Sequence, residues 1–181
     1  MNNKIIWVFG PSAAGKETFI NYIARHEPTE LLARLGWLNK KIVVCAESLA
    51  WVQQAENDGN AERRKNLIKV IEEYSQNNKN SIILIKGQDL DLHNDALKIV
   101  KELLPNEEHE VIFLDVRFDI LYQRYMTKKW WKKSMTEAVC QEWAKTQIRL
   151  LINQQHNGFK IKAINSLDFE YPETNFPPDN L

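Results

Sequence analysis

Residues 4 to 26 read KIIWVFGPSAAGKETFINYIARH. An apolar run meets two glycines set five positions apart, a lysine follows at once, and an amphipathic stretch leads away. This order prescribes a strand, a tight loop and a helix in immediate succession. Gly10 and Gly15 permit a backbone path and a close approach that side chains would block. Converging backbone N–H groups with a helix N-terminus behind them favour an anion, phosphate above all. Lys16 can then reach the outermost phosphates. The expected nucleotide-binding residues are therefore Gly10, Pro11, Ser12, Ala13, Ala14, Gly15, Lys16, Glu17 and Thr18. One position breaks the frame. The residue after the lysine is normally Ser or Thr, whose hydroxyl holds magnesium. Here it is Glu17, with Thr18 one place late. Glu17 can ligate the metal, directly or through water, with Thr18 as a further metal ligand. Alternatively it is a first-turn acid favoured by the helix dipole, and Thr18 caps the helix or contacts phosphate.

Four more apolar runs read as strands: Lys41 to Cys45, Ser81 to Lys86, Glu110 to Asp115 and Phe159 to Ile164. The first three of these are nearly continuous in Ile, Val, Leu and Phe, which suits strands covered on both faces. Helical spacing fills the intervals: Gly15 to His26, Glu47 to Asn57, Ala61 to Gln76, Leu92 to Leu104, Phe118 to about Lys129, and Thr136 to Gln155. Alternating strands and helices predict right-handed crossovers and a three-layer α/β fold. Its core is a five-stranded parallel sheet flanked by helices. Residues 1–167 are expected to form one domain and residues 168–181 an irregular, proline-bearing tail. Asp115 is expected in a turn or cap.

The chain has 181 residues and a formal net charge of zero. A balanced charge gives no general argument for nucleic acid or membrane as a partner. The apolar runs are too short to span a bilayer, and the N-terminus enters a strand without a signal-peptide pattern. A cytoplasmic protein is expected. Cys45 and Cys140 lie far apart in apolar surroundings, which predicts buried free thiols.

The string WVFGPSAAGKET resembles the ribose bisphosphate kinases of phosphonate metabolism, whose loop also places an acid and then a hydroxyl after the lysine. The Gly-Lys-X-Thr spacing also occurs in adenylate kinases. Residues 111 to 133, VIFLDVRFDILYQRYMTKKWWKK, are similar to the passage from strand four into the lid of nucleotide and small-molecule kinases. The resemblance implies the phosphate-loop NTPase fold with a small lid at about 124–135. It implies that Arg124 and Lys128 bind the nucleotide, Arg124 also taking part in catalysis with Lys16. Lys129, Lys132 and Lys133 would add mobile charge. Trp130 and Trp131 would pack the lid or a partner. In KIVVCAESL, the resemblance makes Glu47 a candidate base for an acceptor hydroxyl; the alternative is that Glu47 and Ser48 cap a helix. Arg63 and Arg64 are cations for a phosphate-bearing acceptor. In SIILIKGQDLDL the resemblance places a magnesium-related carboxylate at the end of strand three. That position is Lys86, so either Asp89 or Asp91 substitutes from the loop or water fills in. Gln88 is a candidate substrate contact, and Arg149 a further candidate from the last helix.

These features imply transfer of the γ-phosphoryl group from ATP, with Mg2+, to a nucleotide or other small-molecule acceptor by a monomer or homodimer. The alternative is a nucleotide-binding switch or regulatory ATPase with little acceptor kinase activity, favoured by the altered positions 17 and 86. WLNKKIV lacks the Asp that guanine reading requires. KKWWKK is the one hint of nucleic-acid binding, and the zero net charge opposes it. The acceptor has no fingerprint in residues 46 to 75.

Overall fold

The computed structural model describes residues 2–11, 13–46, 48, 60–87, 90–127, 136–156 and 158–165. Five strands run in chain order as β1 (Lys4–Phe9), β2 (Lys41–Val44), β3 (Ser81–Lys86), β4 (Glu108–Asp115) and β5 (Lys160–Asn165). Among the described residues, six helices accompany them: α1 (Lys16–His26), α2 (Thr29–Leu35), α3 (Asn60–Asn77), α4 (Leu90–Leu103), α5 (Phe118–Met126) and α6 (Glu137–His156). The strands form a single parallel sheet in the order β2-β3-β1-β4-β5.

The period-two alternation of each strand sorts its side chains into two cores. Ile6, Val8, Ile82, Leu84, Ile112 and Leu114 face one side. They meet Phe19, Ile20 and Ile23 of α1, Leu31, Leu32 and Leu35 of α2, and Leu121 and Tyr125 of α5. Ile5, Trp7, Phe9, Ile83, Ile85, Val111 and Phe113 face the other, against Leu67 and Ile71 of α3 and Ala96, Leu97 and Val100 of α4. Burying each large apolar side chain contributes about 1.5–3 kcal/mol, so these two layers hold the sandwich together. Helix α6 closes one flank, sending Cys140 into the first core and Leu151 against the second. Both cysteines are buried and free, and burial pushes the Cys140 thiol above its ordinary range.

Helix α2 is not anticipated by the sequence reading. Pro28 stands at its N-cap, and Gly36 ends it in the left-handed region at φ 74°. The following Trp37 N–H turns back to the Leu32 carbonyl at 2.7 Å, burying the indole completely. Boundaries also shift. Strand β2 ends one residue before Cys45, β4 begins at Glu108, and β5 is displaced to Lys160–Asn165. Asp115 closes β4 opposite Asn165, where a turn or cap residue is expected from the sequence. Helix α5 ends at Met126, with Thr127 as its cap. No described helix is long and apolar enough to cross a membrane.

Polar side chains tie the amino end of the sheet. Asn3 Nδ2 donates to the Ser75 carbonyl at 2.9 Å and its Oδ1 accepts from the Ser81 N–H at 3.0 Å, joining the starts of β1 and β3 to the end of α3. Glu110, only 1% exposed, lies between two lysines: Lys4 Nζ at 3.2 Å and Lys162 Nζ at 3.1 Å. Burial lowers the pKa of Lys4, but the Glu110 and Glu108 carboxylates outweigh it and hold the ammonium above its ordinary range.

Candidate phosphate-binding site

Strand β1 delivers the chain to Gly10 at φ 152°, where β4 crowds the loop. A Cβ on Gly10 would lie 2.9 Å from the Leu114 carbonyl oxygen, so only glycine fits. The loop then folds on itself through Ala14 N–H to Pro11 O at 3.1 Å. Ala13 adopts φ 63°, a left-handed conformation that costs an L-residue about 1–2 kcal/mol. Such strain collects at ligand clamps. Gly15, at φ 89°, caps α1 without a side-chain hydrogen bond. The first turn of α1 thus presents its amides, and the positive end of its dipole, to the loop.

Two cations meet there from different elements. Lys16 is buried, and its Nζ donates to Gly10 O at 2.7 Å and Pro11 O at 3.1 Å. Arg124 comes from α5, where its Nη1 donates to Ala13 O at 3.3 Å. The same nitrogen stands 3.9 Å from the point a Cβ on Gly15 would occupy. The described loop, Lys16 and Arg124 therefore form one cluster, with Glu17 and half-buried Thr18 next in the first turn of α1.

Strand β3 supplies a third cation. Its last residue, Lys86, pairs in register with Val8 of β1. Ser48 fixes the backbone there: its Oγ accepts from the Lys86 N–H at 2.9 Å and donates to Cys45 O at 2.6 Å. On the far side Gly87 N–H donates to Val8 O at 2.9 Å, and a Cβ on Gly87 would lie 2.3 Å from the Phe9 ring. The side chain so positioned reaches α1, where Lys86 Nζ donates to Glu17 Oε2 at 2.9 Å. The lysine side chain is 10% exposed and the glutamate 56%. Glu17, an exposed first-turn acid, is thus the ion-pair partner of Lys86. The pair lies at the topological switch of the sheet. The chain leaves β1 towards β2 on one side and β3 towards β4 on the other. In open α/β sheets the ligand crevice forms at that point, outside the carboxyl ends of the strands.

A phosphate chain suits this arrangement, because uncapped helix amides, a buried lysine and an arginine converge on one loop. A magnesium ion held in the ordinary way does not. The hydroxyl position carries Glu17, already engaged, and the strand-three carboxylate position carries an ammonium. A divalent and a monovalent cation 4 Å apart repel by about 8 kcal/mol at an effective dielectric constant of 20. Among the described residues, no group of three or more His, Cys, Asp or Glu side chains is placed to hold a metal ion.

Ser12, Glu47, Gln88, Asp89 and Lys128 lie outside the described residues, as do the other lysines and tryptophans of 128–135. Arg63 belongs to α3, and its side chain is likewise outside the description. Arg149 is exposed on α6, and no described hydrogen bond or ion pair joins it to the loop. Its charge acts on Glu142, which the Lys145 ammonium chiefly holds below the usual carboxylate range. An apolar cavity of about 180 Å³ adjoins the loop at Pro11, between the end of β4 and Phe118, Leu121, Ala144 and Ile148. It is smaller than the roughly 300–1,000 Å³ of ligand pockets. The sequence reading leaves Ser48 as a cap alternative and Lys86 as a departure without a role. Their signal was the hydroxyl just beyond strand two and a lysine ending an otherwise apolar strand.

By sequence, no protein-family model and no curated protein matches the chain. Among solved structures, it is similar to the tunicamycin resistance protein of Deinococcus radiodurans, with a TM-score of 0.59 and 11% identity over 92% of this chain and 87% of that one. It is also similar to shikimate kinase from Acinetobacter baumannii in complex with shikimate, with a TM-score of 0.51 and 16% identity over 92% and 84%. The chain has the α/β fold of these proteins, a five-stranded parallel sheet flanked by helices.

Proposed function

We propose that the chain is an ATP-dependent phosphotransferase that moves the γ-phosphoryl group to a small-molecule acceptor. One observation carries the reading: Lys16, Arg124 and the uncapped start of α1 converge on the Gly10–Gly15 loop at the crevice of the sheet. Lys16 and the loop amides would bind the phosphates, and Arg124 would cover charge that develops during transfer. Glu47 would orient or deprotonate the acceptor hydroxyl, and the basic segment to about residue 135 would close as a lid and exclude water. Arg63, Gln88 and Arg149 are proposed contacts for the acceptor. Residues 1–167 would act as one domain. The similarity to a kinase solved with shikimate supports a small acceptor rather than a macromolecule.

The test is ADP release from ATP across a panel of small hydroxyl and phosphate acceptors, with Lys16→Ala as the control. Acceptor-dependent release that falls at least a hundredfold in the variant supports the reading. ATP binding that depends on Lys16, with no acceptor-dependent release across the panel, supports the second reading, a nucleotide-binding switch. The paired state of Glu17 and Lys86 favours that second reading.

A further inference from the structure

The two residues that depart from the ordinary loop pattern touch each other. The pattern has a hydroxyl after the loop lysine and a carboxylate ending strand three, with a divalent ion beside both. This chain has an acid at the first place and a lysine at the second, joined at 2.9 Å. A carboxylate with a divalent ion presents one net positive charge to the phosphates. A lysine released from its acid presents the same single charge, from a fixed point.

We propose that the Lys86 ammonium is a built-in replacement for the divalent cation, and that an incoming polyphosphate displaces the Glu17 carboxylate from it. This inference rests on the phosphate-loop reading of the site. The asymmetry of the pair sets the direction of exchange. Lys86 is buried and anchored at its backbone by Ser48, so it stays in place. Glu17 is more than half exposed on the first turn of α1, so its carboxylate can turn to water at little cost. Among the described residues, Glu17 supplies the one hydrogen bond to the ammonium. Phosphate oxygens would take the place of that carboxylate, an acceptor of the same kind and charge. Glu17 thereby keeps the lysine paired when the site is empty and competes with ligand for it.

Calorimetric titration of the full chain with ATP and with inorganic triphosphate, in EDTA and in excess Mg2+, tests this. The expected result is Lys16-dependent binding in EDTA that is as tight as in Mg2+ or tighter. Lys86→Met should weaken binding in EDTA at least tenfold. Glu17→Gln, which removes the competing charge, should tighten it about threefold or more. The double variant Glu17→Ser/Lys86→Asp should bind triphosphate only when Mg2+ is present. Wild-type binding that depends on both Lys16 and Mg2+ overturns the inference and leaves the phosphate loop standing. Absence of binding in both buffers overturns the phosphate-loop reading and this inference with it. Unchanged binding of Lys86→Met in EDTA likewise overturns it, and the wild-type arm does not hang on any variant folding.

Discussion

The two ends of the central sheet both carry lysine–glutamate pairs, and they are built differently. At the amino end, Glu110 is buried between two partly exposed lysines, Lys4 and Lys162, and the lysines come from the strands on either side. The acid is the inner partner and has two cations. At the carboxyl end, Lys86 is the inner partner, its one acid is largely in water, and that acid sits on a helix facing the loop. The first arrangement is closed: it pairs its charges across three neighbouring strands. The second is open: its outer member can leave without stranding itself, and the inner charge then faces a crevice that attracts anions. The first pair is built for stability, and the second is the one the proposed phosphate binding would use.

That contrast can be broken most severely at Glu110. Glu110→Ala leaves Lys4 and Lys162 side by side without their common partner. The lysines left behind are partly exposed and Lys4 keeps Glu108, so the loss is smaller than for a fully buried pair, about 1–2 kcal/mol. For a chain of this size the melting temperature should fall by about 2–8 °C, measured by circular dichroism. A fall under 2 °C would mean that the lysines simply turn to solvent and the amino end is not closed after all.

Lys86→Met sharpens the comparison from the other side. A buried ammonium becomes an apolar chain of similar length, and the exposed Glu17 is left to water. Replacing buried ion pairs with apolar groups is often neutral or stabilising, so the unfolding free energy should stay within about 1 kcal/mol of wild type in urea titration. A loss as large as that of Glu110→Ala would erase the distinction between the two ends.

The smallest effect concerns pH. His109, on β4 near the amino end, is held below its ordinary pKa chiefly by burial, partly offset by its hydrogen bond to Leu104 O at 2.9 Å. A histidine whose folded-state pKa is depressed favours folding as the neutral ring. Its contribution is present above the unfolded pKa near 6.5 and is lost as pH falls through the folded value. Wild type should therefore lose stability gradually below pH 6.5. His109→Gln should show a shallower acid limb between pH 6.5 and 5, and parallel limbs would remove His109 from the account.

Much of the sheet was legible in the sequence because its strands are short and almost purely apolar. KIIWVF and SIILIK begin and end where the residues change character, and both match their observed bounds. Helix α2 was harder to see. TELLARL is only seven residues long and follows α1 closely, and its Thr29 falls inside the first turn with Pro28, not the threonine, at the N-cap. Pro28 and Gly36 were its available signals. The loop was legible because its glycines and lysine are local in sequence. The role of Glu17 was not, since its partner lies 69 residues away. Only the strand order, which sets β3 directly beside β1, brings the two together. Local pattern can show that positions 17 and 86 are each unusual, while the parallel sheet makes them one feature.

The Glu17–Lys86 contact also makes the two positions interdependent. A single change at position 17 leaves a buried lysine without its acid, and a change of Lys86 to an acid sets two carboxylates against each other. Substitutions at the two positions should therefore not add: the double variant should depart from the sum of the two single variants, as contacting residues do.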